Sequence, residues 1–281
     1  MSQYAHPEVL VDTDWVKANL DNPKIRLVEI DVDTQQYVVG HIPGAVGFNW
    51  QTQLQNQLSR DIIGKSEFEK LLGGAGITPE TTVVLYGDNN NWFAAYGFWL
   101  FKIYGHRDVR LMNGGRQKWL NEPDKGLVGA KTAVQASTYQ AQDPDLSLRA
   151  KLTDVFDAIS RASHNLVDVR SVDEFTGKVI APPGMSETAQ RGGHIPGAAS
   201  IPWGTAVNPD GTFKSVEELN KIYFEEKKLD GGKPTVAYCR IGERSSHTWF
   251  VLKYLLGQTN VKNYDGSWTE YGNLIGAPIE K

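Results

Sequence analysis

The feature that most constrains the fold of this chain is an internal repeat. The string His-Ile-Pro-Gly-Ala occurs at His41–Ala45 and again at His194–Ala198. Further landmarks keep the same spacing in both copies, namely Trp50 and Trp203, Tyr86 and Tyr238, Gly105 and Gly257, and Gly114 and Gly266. Landmarks that stay in register over more than a hundred residues indicate a duplicated domain.

Each half alternates short apolar strands with helices. The patterns predict strands at Leu27–Asp31, Thr82–Tyr86, Leu166–Arg170 and Thr235–Tyr238. They predict helices at Asp14–Leu20, Ser66–Gly73, Trp92–Tyr104, Thr153–Arg161, Val216–Glu225 and Arg244–Leu256. Near-continuous apolar strands separated by helices are typical of a parallel sheet that is buried on both faces. We therefore expect an α/β protein with tandem domains at 1–125 and 151–281, joined by a Pro- and Gly-containing linker at 126–150.

Composition excludes several classes of function. With 40% hydrophobic and 22% charged residues, the chain resembles a globular protein. Its net charge of −4 gives nucleic-acid binding little support. No stretch approaches the roughly 20 apolar residues of a membrane span, and no signal peptide is recognisable. A single cysteine cannot form an intrachain disulfide, so we expect a reducing, cytoplasmic location. The histidines lack metal-ligand spacing and no nucleotide-type glycine loop is present, so we expect neither a metal nor a cofactor.

That single cysteine, Cys239, lies between a predicted strand and a predicted helix. The first N–H groups of a helix favour an anion, and Arg240 and Arg244 add positive charge to the loop. This setting is expected to hold a thiolate at neutral pH. The alternative is a buried apolar cysteine, which the polar flanking residues disfavour.

The repeat provides an internal control. Gly87 stands at the position of Cys239, and Asp88 at the position of Arg240, so the first half has no nucleophile. We therefore expect the first domain to be structural. The histidines of both His-Ile-Pro-Gly-Ala strings are shared by the halves, and they are more consistent with a structural role in the turn than with catalysis.

Arg170 also differs between the halves, since its counterpart is Asp31. Residues just beyond the carboxyl ends of parallel strands converge on the ligand crevice of an open sheet. Arg170 is therefore expected either to reach the same anion as the Cys239 loop or to pair with a neighbouring carboxylate such as Glu174.

A cysteine among N–H groups and arginines suits sulfur transfer, phosphate-ester hydrolysis or arsenate reduction. Cysteine phosphatases have a longer loop between their cysteine and arginine than the one from Cys239 to Arg244. The shorter loop favours a sulfur atom over a phosphate as the bound group.

Together, the repeat, the Asp168-Val169-Arg170 segment, the Cys239–Arg244 loop and Tyr264-Asp265-Gly266-Ser267-Trp268 resemble the two-domain rhodanese family of thiosulfate sulfurtransferases. The resemblance covers roughly residues 9 to 277. The loop sequence Cys-Arg-Ile-Gly-Glu-Arg is most similar to the bacterial, actinobacterial-type branch. The family pattern implies an inactive N-terminal domain and a catalytic C-terminal domain.

The resemblance implies that Cys239 takes the outer sulfur of thiosulfate as a persulfide and passes it to cyanide or a thiol. Backbone N–H groups of the loop would hold the persulfide, and they belong to Arg240, Ile241, Gly242, Glu243, Arg244 and Ser245. Arg244 is expected to bind the sulfonate end of thiosulfate, with Arg170 as a further candidate and Arg240 contributing mainly its field.

Four points stay open: the sulfur donor, the acceptor, the role of Glu243 and the role of the insertion. The vertebrate thiosulfate enzyme has a lysine at the position of Ile241, so one charge that assists thiosulfate binding is missing here. The alternative sulfur donor is 3-mercaptopyruvate, although Arg240 and Arg244 favour thiosulfate. A relay protein with a protein acceptor is the alternative to a small-molecule acceptor. A carboxylate beside a thiolate disfavours the thiolate, so Glu243 is expected to face outward and to pair with an arginine. Tuning of the thiolate by Glu243 is the other interpretation. The insertion at 176–193 is expected to shape acceptor access.

Overall fold

The computed structural model describes residues 3–182, 184 and 189–281. These residues group into two compact units. One unit comprises Glu8–Asp145 together with Val207–Phe213, and the other comprises Leu146–Ala206 and Lys214–Lys281 together with the N-terminal segment that ends at Pro7. Across the described ranges, no helix is both long enough and apolar enough to cross a membrane.

The N-terminal unit contains a five-stranded parallel sheet with the order β1-β5-β4-β2-β3. Its strands are β1 (Leu10–Val11), β2 (Ile25–Glu29), β3 (Val46–Gly47), β4 (Thr82–Tyr86) and β5 (Val109–Met112). Its helices are α1 (Thr13–Ala18), α2 (Gln36–Val39), α3 (Trp50–Gln53), α4 (Lys65–Gly74), α5 (Trp92–Ile103) and α6 (Gly115–Asn121). Short 3₁₀ turns cover Pro7–Val9 and Asn89–Asn91.

The C-terminal unit repeats this arrangement with a four-stranded parallel sheet of order β7-β6-β8-β9. Its strands are β6 (Asn165–Asp168), β7 (Ala199–Ser200), β8 (Thr235–Tyr238) and β9 (Val261–Tyr264). Its helices are α7 (Leu152–Arg161), α8 (Val172–Phe175), α9 (Val216–Asn220), α10 (Glu243–Phe250) and α11 (Ser267–Tyr271). Both α9 and α10 continue as π-helical turns, at Lys221–Glu226 and Val251–Leu255, and 3₁₀ turns cover Leu146–Leu148 and Trp203–Ala206.

The predicted α/β class, with a parallel sheet in each half, is confirmed. Strands β4 and β8 have the predicted bounds, and the six predicted helices are all present within a few residues. Strands β1, β3 and β7 were not predicted, because each has only two residues and two residues carry no periodic signal. Strands β5 and β9 were not predicted either, and their central residues include the polar Arg110 and Lys262.

The repeated strings hold equivalent turns in both units. The N–H of Ile42 donates to Tyr86 Oη at 3.0 Å, and the N–H of Ile195 donates to Tyr238 Oη at 3.1 Å. The preceding histidines are buried, and Nδ1 of each lies at 2.8 or 2.9 Å from a backbone carbonyl. Because a carbonyl only accepts, each histidine donates there. This geometry is that of a structural histidine fixing a turn.

Candidate active site

Cys239 lies directly after β8, and α10 begins at Glu243, so a four-residue loop carries the thiol. Strand β8 is paired with β6 on one side and β9 on the other. Because all three strands are parallel, their carboxyl ends meet at one edge of the sheet, which is where ligands bind in open α/β sheets. Cys239, Arg170 and Ser267 are therefore brought to this edge by the fold.

The start of the loop is clamped by the first turn of α11. The N–H of Cys239 donates to Ser267 Oγ at 3.0 Å, and its carbonyl accepts from the N–H of Trp268 at 3.0 Å. The carbonyl of Arg240 accepts from the N–H of Thr269 at 3.0 Å and from its hydroxyl at 2.8 Å. Helix N-terminal N–H groups have no partner within their own helix, so α11 uses them to hold the loop.

The Cys239 sulfur is fully buried but surrounded by polar groups. The N–H of Gly242 donates to Sγ at 3.1 Å, and Oε2 of Glu243 lies 3.7 Å from Sγ. The expectation that Glu243 faces outward is wrong, because its side chain is buried beside the sulfur. The first turn of α10 directs this side chain back over its own N-terminus, as helix geometry requires.

Gly242 has a conformation that the loop requires. Its φ is +104°, in the left-handed region that side chains rarely adopt. A Cβ atom there would lie 2.6 Å from Cα and 2.7 Å from Cβ of Asp265. Asp265 cannot yield easily, because its carboxylate is held by Arg149 Nε and Nη2, each at 2.7 Å.

Arg244 points toward Glu174 of α8. Its Nη1 and Nη2 donate to the two carboxylate oxygens, each at 3.0 Å, in a bidentate pair that is buried on both sides. Burial opposes the charge, but the hydrogen bonds to Glu174 and the nearby Cys239 raise the pKa of Arg244. Glu174 also accepts from the N–H and hydroxyl of Ser171 in a capping box. Much of the positive charge that the sequence assigned to the loop is therefore balanced by this carboxylate.

Arg170 is fully buried and pairs with a neighbouring carboxylate, as the second alternative expects, although this carboxylate is Asp168 and not the example Glu174. Its Nε lies 3.0 and 3.1 Å from the two Asp168 oxygens, and its Nη2 donates to Asp168 and to the Gly193 carbonyl, each at 2.6 Å. The guanidinium also stacks 4.4 Å from the centre of the Trp268 ring. These contacts describe a structural ion pair at the site's edge, so a role of Arg170 in donor binding stays a prediction.

Removing the Arg170 charge is expected to destabilise the fold. Arg170→Leu leaves Asp168 buried without its counter-charge, which costs about 3–5 kcal/mol of unfolding free energy. Urea denaturation compares it with Arg161→Leu, whose pair with Asp157 is exposed and contributes about 0–1 kcal/mol. A loss below about 1 kcal/mol in Arg170→Leu would contradict this assignment.

The remaining predicted site residues are also buried in this loop. Arg240, Ile241 and Ser245 all lie at or below 3% exposure. Their catalytic and binding roles stay predictions. Because Arg244 is paired with Glu174 and Glu243 adds a carboxylate near the sulfur, the loop's side chains supply little excess positive charge. Stabilisation of an anion falls mainly on backbone N–H groups such as that of Gly242.

The position of Glu243 leads to a prediction on pH dependence. Because Oε2 of Glu243 lies 3.7 Å from the Cys239 sulfur, Glu243→Gln is expected to move the acid limb of kcat/KM to lower pH. The control is Glu217→Gln on α9, which makes the same carboxylate-to-carboxamide change at an exposed position. An unchanged profile in Glu243→Gln would remove the tuning role.

His247 lies one turn into α10 and is fully buried. Burial lowers the pKa of His247 to about 3, so its ring is neutral at neutral pH. Its ring packs edge-on against Trp203 at 5.3 Å. Within the described ranges, no three His, Cys, Asp or Glu side chains are arranged to hold a metal ion.

The equivalent loop of the N-terminal unit is acidic. Asp31 Oδ1 accepts from the N–H of Asp88 at 2.8 Å, and Asp88 in turn accepts from the N–H of Val32 at 2.6 Å. Burial raises the pKa of Asp31 well above its usual range, and the nearby Glu29 and Asp88 raise it further. This loop has acidic side chains where the C-terminal unit has Arg170 and Arg240, and it has no nucleophile at Gly87.

The structure gives Asp168 and Glu174 contacts that the sequence analysis did not assign to them, although the sequence carried a signal for each. Arg170 follows Asp168, the last residue of β6, by two positions, and in extended backbone this spacing places two side chains on the same face. Ser171 and Glu174 match the capping-box spacing, which puts Glu174 in the first turn of a helix that follows β6. Only the packing of α8 against α10 shows that its carboxylate meets Arg244.

Comparison with known proteins agrees with this geometry. The family described as "Rhodanese-like domain" matches residues 12–122 and 152–274. A protein of Mycolicibacterium smegmatis named "Putative thiosulfate sulfurtransferase" is 57% identical over 98% of this chain and 99% of its own length. "Sulfur carrier protein TtuD" of Thermus thermophilus is 54% identical over 99% and 98%.

A solved structure gives the same result at the level of the fold. The 3-mercaptopyruvate sulfurtransferase SseA of Escherichia coli superposes with a TM-score of 0.79 at 26% identity, covering 92% of this chain and 98% of SseA. The family matches both halves of the chain, and the relatives align with it over nearly their whole length. The chain therefore belongs to the rhodanese family of sulfurtransferases and carries the rhodanese-like domain twice.

Proposed function

We propose that the chain is a thiosulfate sulfurtransferase that works through a persulfide on Cys239. The observation that carries the proposal is the placement of Sγ at the carboxyl end of β8, with the N–H of Gly242 at 3.1 Å and the N-terminus of α10 beside it. Oriented N–H groups in a water-poor site stabilise a negative sulfur. The name of the Mycolicibacterium relative supports thiosulfate as the donor.

The proposed reaction has two steps. The Cys239 thiolate attacks the outer sulfur of thiosulfate, the sulfur–sulfur bond of thiosulfate breaks, and sulfite leaves with the electron pair. The resulting persulfide anion lies in the loop. Cyanide then takes the terminal sulfur as thiocyanate, or a thiolate takes it as a new persulfide, and the Cys239 thiolate returns. Arg244 and Arg170 are proposed to assist donor binding. Arg240 is proposed to act through its positive electrostatic field and not through direct contact with the donor.

The structure weakens one argument for thiosulfate over 3-mercaptopyruvate. Two free arginine charges would favour the thiosulfate dianion, yet the charge of Arg244 is already balanced by Glu174. The preference for thiosulfate therefore rests on the named relatives, and the likeness to SseA keeps 3-mercaptopyruvate as the second donor.

The relative named as a sulfur carrier favours a second candidate, in which a protein accepts the sulfur. Both candidates use the same Cys239 persulfide and differ in acceptor. Turnover with cyanide or small thiols at ordinary enzyme rates supports the first. A persulfide that only a protein thiol discharges supports the second.

We also propose that residues 1–125 form a structural domain, 126–150 a linker and 151–281 the catalytic domain. The acidic loop after β4 supports an inactive first domain. A reactive thiol without a disulfide partner favours a reducing, cytoplasmic location. The insertion at 176–193 stays a proposal for acceptor access, and its residues 183 and 185–188 lie outside the described residues.

The test is the intact mass of the purified protein before and after thiosulfate, and again after cyanide. The proposal expects a gain of one sulfur atom that cyanide removes and that Cys239→Ala lacks. If the protein gains a sulfur atom from 3-mercaptopyruvate but not from thiosulfate, the proposed donor changes to 3-mercaptopyruvate. No gain with either donor would refute the proposed function.

A further inference from the structure

The carbonyl of Gly242 is the centre of a buried polar network beneath the loop. It accepts from Asn263 Nδ2 at 3.0 Å, from Ser246 Oγ at 2.7 Å and from the N–H of Ser246 at 3.2 Å. Ser245 Oγ lies 3.0 Å from the same carbonyl and 2.6 Å from Asn263 Oδ1. Asn263 and both serines are fully buried, and Asn263 belongs to β9 beside β8.

The network fixes the direction of the Asn263 amide. A carbonyl only accepts, so the Nδ2 side of Asn263 faces Gly242, and its second hydrogen faces Ser246 Oγ at 3.0 Å. Ser245 has one hydroxyl hydrogen, and its shorter contact is to Asn263 Oδ1. An aspartate at this position would present acceptors only and would repel the carbonyl.

The direction of that carbonyl determines where the next N–H points. In a planar trans peptide the C=O and N–H point in opposite directions, and no cis peptide occurs in the described residues. Because the Gly242 carbonyl faces Asn263, the N–H of Glu243 faces away from Asn263. The preceding N–H, that of Gly242, already donates to Cys239 Sγ.

The N-terminal unit provides an internal comparison. Register pairs Leu85 with Leu111 there, as it pairs Ala237 with Asn263 in the C-terminal unit. In the half without a cysteine, Asn263 is thus replaced by the buried Leu111. The two serines are likewise replaced by the buried apolar residues Phe93 and Ala94. The polar network is present only in the half where a loop must hold a sulfur.

From these observations we propose that Asn263 is a positioning residue for the Cys239 site. It fixes the Gly242–Glu243 peptide next to the Gly242 N–H that donates to Sγ, and it thereby stabilises the thiolate and the persulfide. The inference rests on the proposed function for its persulfide part only. Asn263 acts through the loop backbone and does not itself touch the donor.

The main variant is Asn263→Leu, which installs the residue of the N-terminal unit. The first readout is the alkylation rate of Cys239 by iodoacetamide across pH, which reports the thiolate without any sulfur donor. We expect its half-maximal pH to rise by about one unit. The second readout is turnover of thiosulfate, where we expect kcat to fall about tenfold or more with KM within about twofold.

Val261→Ala is the matched control, because Val261 is a buried residue of the same strand. In the residues that the structure describes, it forms no hydrogen bond with the Cys239 loop. This variant should lower the melting temperature while leaving both readouts within about twofold of wild type. If Asn263→Leu fails to fold, Ser246→Ala removes one donor to the same carbonyl and is expected to shift both readouts in the same direction by a smaller amount.

The outcomes separate this inference from the proposed function. Asn263→Leu behaving like Val261→Ala in both readouts would overturn the positioning role, whatever the donor is. A shifted alkylation profile in a protein whose wild type takes no sulfur from thiosulfate would support the positioning role and refute the proposed donor.

Discussion

Cys239→Ser is expected to abolish sulfur transfer, with a loss of at least about a thousandfold in kcat. The serine hydroxyl does not ionise at neutral pH and cannot accept a sulfane sulfur as a stable persulfide. Because Cys239 is the chain's only cysteine, the substitution removes every thiol, so no second cysteine can carry the sulfur. Steady-state turnover of thiosulfate with cyanide measures the effect.

The fold should survive this change. Cys239 is fully buried, serine is slightly smaller, and the Cys239 backbone keeps its hydrogen bonds to Ser267 and Trp268. A melting temperature close to wild type is the control. Turnover retained within tenfold in a folded Cys239→Ser protein would show that no persulfide on this residue is required.

Gly242→Ala is expected to disable the site by distorting the loop. The methyl group would meet the backbone of Asp265 at 2.6 Å, and the backbone at φ +104° adds about 1–2 kcal/mol of strain for a residue with a Cβ. Relief requires the loop to move, which carries the Gly242 N–H away from Sγ. Loss of one such donor costs about a hundredfold or more in kcat.

Gly204→Ala is the matched control for this substitution. No atom lies within 4 Å of a Cβ built at Gly204, and its φ lies outside the left-handed region. This variant should keep wild-type stability and turnover. If Gly242→Ala also kept wild-type kcat, the loop geometry described above would not be what holds the sulfur.

The sequence by itself determined the architecture and singled out Cys239 as the residue proposed to react. Two copies of one string in register required a duplicated domain, and alternating apolar strands and helices required parallel sheets. The strand before Cys239 and the helix after it placed the thiol at a loop between them. These features depend on local periodicity and on identity between the halves, which can be read without knowing which elements pack together.

The tertiary structure alone decided the electrostatics around the thiol. Arg244 is 70 positions from Glu174, and Gly242 is 21 positions from Asn263, so no local pattern pairs them. The sheet order and the helix packing bring these residues together, because the carboxyl ends of β6, β8 and β9 lie at one edge of the sheet. The sequence shows only how many charges the loop carries. The fold determines which of them are balanced, and it places the Gly242 N–H against the sulfur.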